Sequence, residues 1–246
     1  MKLTFLGTSH GVPMVDRHCT STLLEVGAAA YLFDAGAPVA DLLIRCGVPF
    51  EKLQAVFTTH IHGDHTFGLP TLCSLASWFY KDSSFDVYLT EKEGMEALRS
   101  YILSADKAFA DDRVRLKLIA PGPLYDDGNL SVTAIPTRHM EGIGCPSYAY
   151  LIQAEGKRLL FTGDLHFADA ADFPAEAGQP TDLILCEMAH FGPEVIFPKL
   201  ASCPTKQVLF HHVYHGYEES MAAIRDANGR YPFPVRAVED GEVVQL

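Results

Sequence analysis

The sequence predicts an α/β protein in which two β-sheets pack against each other and helices cover the outside. Three observations lead to this fold class: short β-rich runs open the chain, helical patterns lie between later runs, and the second half repeats the theme. Two sets of strands, each interleaved with helices, are typical of layered α/β proteins. Apolar periodicity alone does not distinguish this arrangement from other α/β layouts.

The first half of the chain begins with strands. Runs rich in β-branched and apolar residues, separated by glycine or proline, predict strands at 2–6, 21–26, 30–34 and 55–59. Helical spacing predicts helices at 37–47 and 91–105. In the second of these, Met95, Leu98 and Ile102 share one face, which is most simply a face that packs on the core.

The second half carries further buried or half-buried strands. They are predicted at 130–135, 147–153, 157–162, 182–186 and 207–210. A last helical pattern covers 216–228. No low-complexity linker divides the chain, and 246 residues are compatible with one α/β unit, so residues 1–246 are expected to form a single domain.

Composition narrows the classes of function. A net charge of −12 disfavours broad electrostatic capture of nucleic acid, so a nucleic-acid partner is not expected. No run approaches the roughly 18 apolar residues that a membrane span requires. The apolar stretch at the N-terminus is too short for a signal peptide, and the six cysteines include no C-x-x-C pair. We therefore expect free thiols and a cytoplasmic location.

Four strong metal-ligand types lie together in the segment TTHIHGDHTFGLP, residues 58–70. His60 and His62 are two positions apart at the end of a strand, so in extended backbone they face the same side. Asp64 and His65 follow where the chain should turn toward a helix. Imidazole and carboxylate suit zinc, and also manganese or iron. Because one catalytic ion usually takes three protein ligands, four such groups favour two adjacent ions.

More candidate ligands follow other predicted strands. His139 comes after SVTAIP, Asp164 after RLLFTG, and His211 ends QVLFH. Two divalent ions can lower the pKa of a bridging water from near 16 to about 7, which supplies hydroxide at neutral pH. Such a centre supports hydrolysis of an ester, lactone, amide or phosphodiester. Residues 7–11, GTSHG, match the letters G-x-S-x-G, and we interpret this stretch as a turn near the site.

The H-x-H-x-D-H run, followed by His, Asp and His at successive strand ends, resembles the metallo-β-lactamase fold superfamily. The stretches LGTSHGVP, DRHCTSTLLEV, LFDAG, FTGD and DLILCEMA resemble its ribonuclease Z and cyclic phosphodiesterase branch, the latter known from the carbon–phosphorus lyase pathway. The resemblance covers most of the chain. It implies a four-layer αββα sandwich with the site at one edge, between the sheets.

The resemblance also implies ligand roles. One ion would be held by His60, His62 and His139, the other by Asp64, His65 and His211, with Asp164 bridging and Asp64 also acting in catalysis. His212 is the alternative to His211. We favour His211 because alignment of VLFHH with the strand-Thr-His ending of the family puts it at the ligand position.

A proton donor for the leaving group is expected near the strand 182–186. In ribonuclease Z relatives a Glu follows this strand, and a His beyond it assists catalysis. Glu187 and His190 match that pattern loosely, so His190 would donate the proton and Glu187 would orient it. His212 is a second candidate donor. Alternatively, His190 caps a helix that begins near Pro193.

The substrate is expected to be a small phosphodiester, cyclic forms included. Ribonuclease Z members grip tRNA with an arm between the third and fourth motifs, and only residues 140–163 separate those motifs here. The alternatives are a lactone or ester hydrolase, a tRNA 3′-processing ribonuclease, and a non-hydrolytic redox or binding module. A homodimer remains open. His10, His18 and His215 are expected to be structural or exposed.

Overall fold

A computed structural model describes residues 1–214 and 217–246 of the chain. Fourteen strands are assigned among these residues. They are β1 (Lys2–Gly7), β2 (Ser21–Val26), β3 (Ala29–Phe33), β4 (Leu53–Phe57), β5 (Phe85–Leu89), β6 (Val114–Leu118), β7 (Gly122–Asp126), β8 (Leu130–Thr137), β9 (Ser147–Ala154), β10 (Lys157–Phe161), β11 (Leu183–Met188), β12 (Val208–Val213), β13 (Val235–Ala237) and β14 (Val243–Gln245).

Six helices accompany the strands in the described ranges. They are α1 (Val39–Arg45), α2 (Gly63–Thr66), α3 (Leu69–Trp78), α4 (Lys92–Asp106), α5 (Pro193–Leu200) and α6 (Tyr217–Ala227). The predicted helix 216–228 corresponds to α6, and its first residue lies outside the described residues. None of the helices that the structure describes is long and apolar enough to cross a membrane.

The strands form two seven-stranded mixed sheets. The first has the order β14-β1-β2-β3-β4-β5-β6 and the second the order β13-β12-β11-β10-β9-β8-β7. Strands β3, β4, β5 and β6 pair with one another in parallel, as do β10, β11, β12 and β13. Loops that follow parallel strands meet at the carboxyl edge of a sheet, which is where α/β proteins commonly bind ligands.

An aromatic core joins the two sheets. The ring of Phe33 lies 5.1 Å from that of Phe57 on the same sheet and 5.1 Å from that of Phe161 on the other, between ring centroids. Phe57 and Tyr150 are fully buried. Each such side chain contributes roughly 1.5–3 kcal/mol by its burial. This core holds the two carboxyl edges at a fixed separation.

Helices cover the outer faces of both sheets. Buried residues of α1, α3 and α4 pack on the first sheet, and those of α5 and α6 on the second. The four layers αββα are those expected, so the predicted fold class is confirmed. The sequence analysis expected a helix after Asp64 and His65 without giving its bounds, and α3 follows these residues with Pro70 in its first turn, where proline is favourable.

Candidate metal centre

The carboxylate of Asp164 lies among five imidazoles. Its Oδ2 atom is 3.3–3.7 Å from the Nε2 atoms of these rings, which belong to His60, His65, His139, His190 and His212. Asp164 follows β10 through Gly163, whose φ of 55° is left-handed. A Cβ at Gly163 would lie 2.7 Å from the carbonyl oxygen of Tyr148, so this turn requires glycine.

The side chains around Asp164 form four overlapping groups of possible metal ligands. In each group one nitrogen or oxygen atom per residue lies within 4.8 Å of the others. Two groups share no residue and are called the two ligand sets: the first is His60, His62 and His139, and the second is Asp64, His65 and His212. The other two groups contain Asp164, with His60 and His65 in one and with His139 and His190 in the other. Six of the seven residues expected to bind metal, Asp164 among them, are thus brought together at the carboxyl edges of both sheets.

The loop after β4 carries four of these residues in a short space. His60 and His62 lie in the loop itself, and α2 holds Asp64 and His65. Oγ1 of Thr66 donates to the carbonyl oxygen of His62 across 2.9 Å, which closes the loop back on itself. The rings of His60 and His62 consequently face one another, with Nε2 of the first 2.9 Å from Nδ1 of the second.

Side chains behind the ligands set their orientation. The carboxylate of Asp34 lies 2.8 Å from Nδ1 of His65 and accepts a hydrogen bond from the backbone N–H of Thr59 at 2.7 Å. Nδ1 of His139 lies 3.3 Å from the carbonyl oxygen of Leu165. These contacts at Nδ1 leave Nε2 of each ring facing Asp164. Asp34 was missed as a functional residue, although an aspartate directly after a buried strand was a usable signal.

His212, and not His211, is the imidazole that reaches the centre. Nε2 of His212 is 3.3 Å from Oδ2 of Asp164 and 3.8 Å from Oδ2 of Asp64. His211 instead points toward Thr20, with Nδ1 3.4 Å from its Oγ1. The preference for His211 as ligand is therefore corrected to His212 by the geometry of the described residues.

A β-bulge explains why His212, and not His211, faces the centre. Cys186 pairs with Phe210 and Met188 with Val213, so one residue of β11 faces two residues of β12. His212 has a φ of 50°, a left-handed conformation that strand alternation does not anticipate. Burial lowers the pKa of His211 to about 3, helped by the nearby His212, which keeps the displaced imidazole neutral.

Glu187 and His190 form a pair beside Asp164. Nδ1 of His190 lies 3.0 Å from Oε1 of Glu187, and Nε2 lies 3.7 Å from Oδ2 of Asp164. Helix α5 begins at Pro193 with Gly192 as its N-cap and no side-chain cap hydrogen bond, so His190 does not cap it. Burial lowers the pKa of His190, but the hydrogen bond and charge of Glu187 outweigh burial and raise it to about 9.

The donor set fits divalent cations. Nε2 of His65 is buried and has no hydrogen-bond partner, yet it lies 3.3 Å from Asp64 and 3.4 Å from Asp164. Burial lowers the pKa of His60 well below its usual value, and the charge of His65 lowers it further, so His60 presents a neutral nitrogen. Burial opposes the charge of Asp64, but His65 and His212 outweigh it and lower the pKa of Asp64 to about 2. Burial opposes the charge of His65 and His212, but Asp164 outweighs burial and raises the pKa of both rings. Because neutral imidazoles and ionised carboxylates are the forms that bind metals, a cation would bind there in place of the protons of these two rings.

The other histidines have separate surroundings. His18 pairs with Asp240 across 2.7 Å, away from the two ligand sets. His10 stacks on Tyr214 with ring centroids 4.2 Å apart, and a Cβ at the next residue, Gly11, would lie 3.7 Å from Oδ2 of Asp64, so the loop that carries His10 borders the centre. His215 lies outside the described residues.

Two sheets with covering helices and a His/Asp cluster at their shared edge define a metallo-β-lactamase fold. The metallo-β-lactamase fold protein YhfI from Bacillus subtilis superposes with a TM-score of 0.78 at 21% identity, covering 99% of both chains. A diphosphatase from the PhnP family superposes with a TM-score of 0.71 at 17% identity, covering 100% of this chain and 97% of that one. At these identities the likeness establishes the fold.

Sequence comparison gives the family. Residues 1–236 match the family described as anti-Pycsar protein Apyc1, and the chain belongs to this family. Ribonuclease BN of Cronobacter sakazakii is 32% identical over 160 residues, which are 64% of this chain and 51% of that protein. Ribonuclease Z of Synechococcus sp. strain CC9311 is 36% identical over 157 residues, which are 61% of this chain and 48% of that protein.

The chain thus spans about half the length of the curated relatives that it matches. Those relatives carry ribonuclease names, so the expectation that nucleic acid is not a partner gains no support from them.

Proposed function

We propose that the protein is a dinuclear metal-dependent hydrolase of small phosphodiesters. The observation that carries this proposal is the position of Asp164, whose Oδ2 atom is within 3.7 Å of imidazoles from both ligand sets. One carboxylate between two sets of three donors is suited to a pair of divalent ions. The ribonuclease names of the curated relatives add support, because ribonucleases cleave phosphodiester bonds.

Six residues and the central aspartate would hold the ions. His60, His62 and His139 would bind one and Asp64, His65 and His212 the other, with Asp164 between them. Zinc suits this donor set best, and manganese or iron are alternatives. Two divalent ions supply a nucleophile from water at neutral pH and offset negative charge on the phosphate.

The remaining chemistry falls to side chains of the chain itself. Cleavage of a phosphodiester leaves an alkoxide, which needs a proton. His190 lies beside Asp164 and belongs to neither of the two ligand sets, although it forms a further group with His139 and Asp164. Its raised pKa of about 9 favours the protonated ring at neutral pH. Glu187 fixes the ring through Nδ1, so Nε2 is the atom that gives the proton.

A small substrate is favoured by the short segment between His139 and Asp164. Residues 141–143 form a 3-10 turn, and most of the segment beyond this turn is the hairpin β9–β10 inside the second sheet. This segment offers no projecting arm for a folded RNA. The net charge of −12 also weakens long-range attraction of a polyanion.

A hydrolysis panel on the purified, metal-loaded protein tests the proposal. It compares bis-p-nitrophenyl phosphate, 2′,3′- and 3′,5′-cyclic nucleotides, a ribosyl cyclic phosphate, precursor tRNA, an acyl-homoserine lactone and a β-lactam. We expect turnover of the small phosphodiesters and little cleavage of tRNA at physiological salt.

Two variants serve as controls for the panel. Asp164→Asn should abolish turnover, while Asp41→Asn, an exposed change on α1, should leave it unchanged. Efficient tRNA 3′ cleavage would show that the substrate is RNA and not a small phosphodiester. Lactone opening without phosphodiester turnover would overturn the proposal in favour of a lactonase.

A further inference from the structure

An exposed aromatic side chain packs on the loop that borders the centre, where a Cβ at Gly11 would lie 3.7 Å from Oδ2 of Asp64. Tyr214 is 53% exposed, only two residues after His212, and its ring lies 4.2 Å from that of His10 with an interplanar angle of 37°. About half of this side chain is therefore accessible to a ligand.

The backbone on both sides of this ring pair is fixed. The N–H of Tyr214 donates to the carbonyl oxygen of Met188 at 3.4 Å, beyond the bulge in β12. On the other side, Nδ1 of His212 lies 3.0 Å from the carbonyl oxygen of Ser9, the residue before His10. The same contact that orients His212 therefore anchors the loop that carries His10.

The loop that holds His10 is itself closed by hydrogen bonds. Oγ of Ser9 donates to the carbonyl oxygen of Val12 at 2.6 Å, and the N–H of Ser9 donates to the carbonyl oxygen of His18 at 2.8 Å. The imidazole of His10 packs against the phenol of Tyr214 and limits the rotation of that ring.

We propose that Tyr214, supported by His10, is a stacking platform for a flat aromatic or heteroaromatic ring carried by the substrate next to its phosphoryl group. This proposal rests on the proposed function, because it assigns the phosphoryl group to the centre around Asp164. Tyr214 is then a specificity-determining residue, and the favoured substrates are aryl or heterocyclic phosphoesters over alkyl ones. Stacking on an aromatic side chain tolerates many ring types, since every such ring has a π-face.

Binding of two phosphonates to the metal-loaded protein tests the platform without turnover. Phenylphosphonate and methylphosphonate share the anionic group and differ in the ring, and calorimetry measures both dissociation constants. We expect the wild type to bind the phenyl compound about tenfold more tightly, a typical gain from stacking. Tyr214→Ala should remove this preference and leave methylphosphonate binding unchanged, whereas Tyr214→Phe should retain it.

The matched control is Phe79→Ala. Phe79 is an aromatic residue with 76% exposure that follows the C-terminal end of α3. This helix extends about 15 Å from the loop that carries His60 and His62. Phe79→Ala should leave the dissociation constants of both phosphonates unchanged from the wild type.

Kinetics gives a second measurement with a common leaving group. With phenyl and methyl p-nitrophenyl phosphates, Tyr214→Ala should raise KM for the phenyl diester more than for the methyl diester, at similar kcat. An unchanged phenyl-to-methyl ratio in Tyr214→Ala, in both the dissociation constants and KM, would overturn the stacking platform but not the proposed function. If neither phosphonate binds the wild type and neither diester is hydrolysed, the proposed function fails together with the platform.

Discussion

Asp34 accepts a hydrogen bond from Nδ1 of His65 across 2.8 Å, and Nε2 of the same ring faces Asp64 and Asp164. Asp34 thereby fixes both the tautomer and the orientation of an imidazole that has no hydrogen-bond partner at its other nitrogen. Asp34 itself has a φ of 59°. Aspartate and asparagine tolerate this left-handed conformation better than most residues.

Asp34→Asn should therefore keep the fold and weaken metal binding. The amide fits the same backbone conformation but no longer offers a charged acceptor to His65. Loss of such a supporting contact typically lowers metal affinity about 10- to 100-fold. Competition with a chelator measures the affinity, and Asp41→Asn on the exposed face of α1 is the control. Wild-type affinity in Asp34→Asn would show that the hydrogen bond does not set the ligand geometry.

The pair His211 and His212 gives a sharper test of the ligand assignment. His212→Asn should reduce the metal content from about two ions per chain to about one, because His212 belongs to a ligand set and His211 does not. His211→Asn should keep both ions and lower stability through the lost packing of a buried ring. Asp164→Ala should weaken the binding of both ions. Elemental analysis after gel filtration measures all three, and loss of an ion in His211→Asn alone would reverse the assignment.

The position of His212 also shows where sequence reasoning stopped. Strand ends and residue types identified six of the residues that meet at the centre, because parallel strands deliver their following residues to one edge whatever the details of register. The choice between adjacent histidines depends on a bulge in β12, and nothing in VLFHH announces an extra residue. A one-residue shift in a strand exchanges the two faces.

The strands also differ in how well the sequence predicts them. Strands with continuous apolar runs were predicted well, because burial on both faces leaves a strong pattern. The ends of β9 were predicted to within one residue and those of β12 to within three. Edge strand β6, with the sequence VRLKL, alternates with charged residues and was not predicted. Asp34 was also passed over, since its role depends on a contact with His65, which lies 31 positions along the chain.

The pair Glu187 and His190 leads to a prediction on leaving groups. His190→Ala should lower kcat by about 10² to 10⁴ for alkyl phosphodiesters, because the departing alkoxide loses its proton donor. The loss should be much smaller for p-nitrophenyl esters, whose leaving group hardly needs a proton. Steady-state kinetics across a series of leaving groups measures this dependence, with metal content checked by elemental analysis. An equal loss for good and poor leaving groups, or the loss of an ion, would exclude the donor role.

Far from this centre, Asp127 is held by two tyrosines. The hydroxyl of Tyr31 donates to its carboxylate at 2.6 Å and that of Tyr125 at 3.0 Å. Burial raises the pKa of Asp127, but the hydrogen bonds from Tyr31 and from the N–H groups of Leu130 and Asn129 outweigh burial and lower it. This group links the first sheet to the turn between β7 and β8.

Tyr31→Phe should destabilise the protein in a pH-dependent way. Because the pKa of Asp127 is lower in the folded protein than its unfolded value of about 3.9, the carboxylate stabilises the fold above that pH, and the contribution is lost as pH falls through the folded pKa. Because Asp127 is exposed and solvent screens its charge, removing the hydroxyl should cost about 0.5–1.5 kcal/mol at pH 7. Urea unfolding at pH 7 and at the lowest pH of cooperative unfolding measures the difference, with exposed Tyr101→Phe as control. A destabilisation that is the same at both pH values would mean that Tyr31 contributes through packing and not through the charge of Asp127.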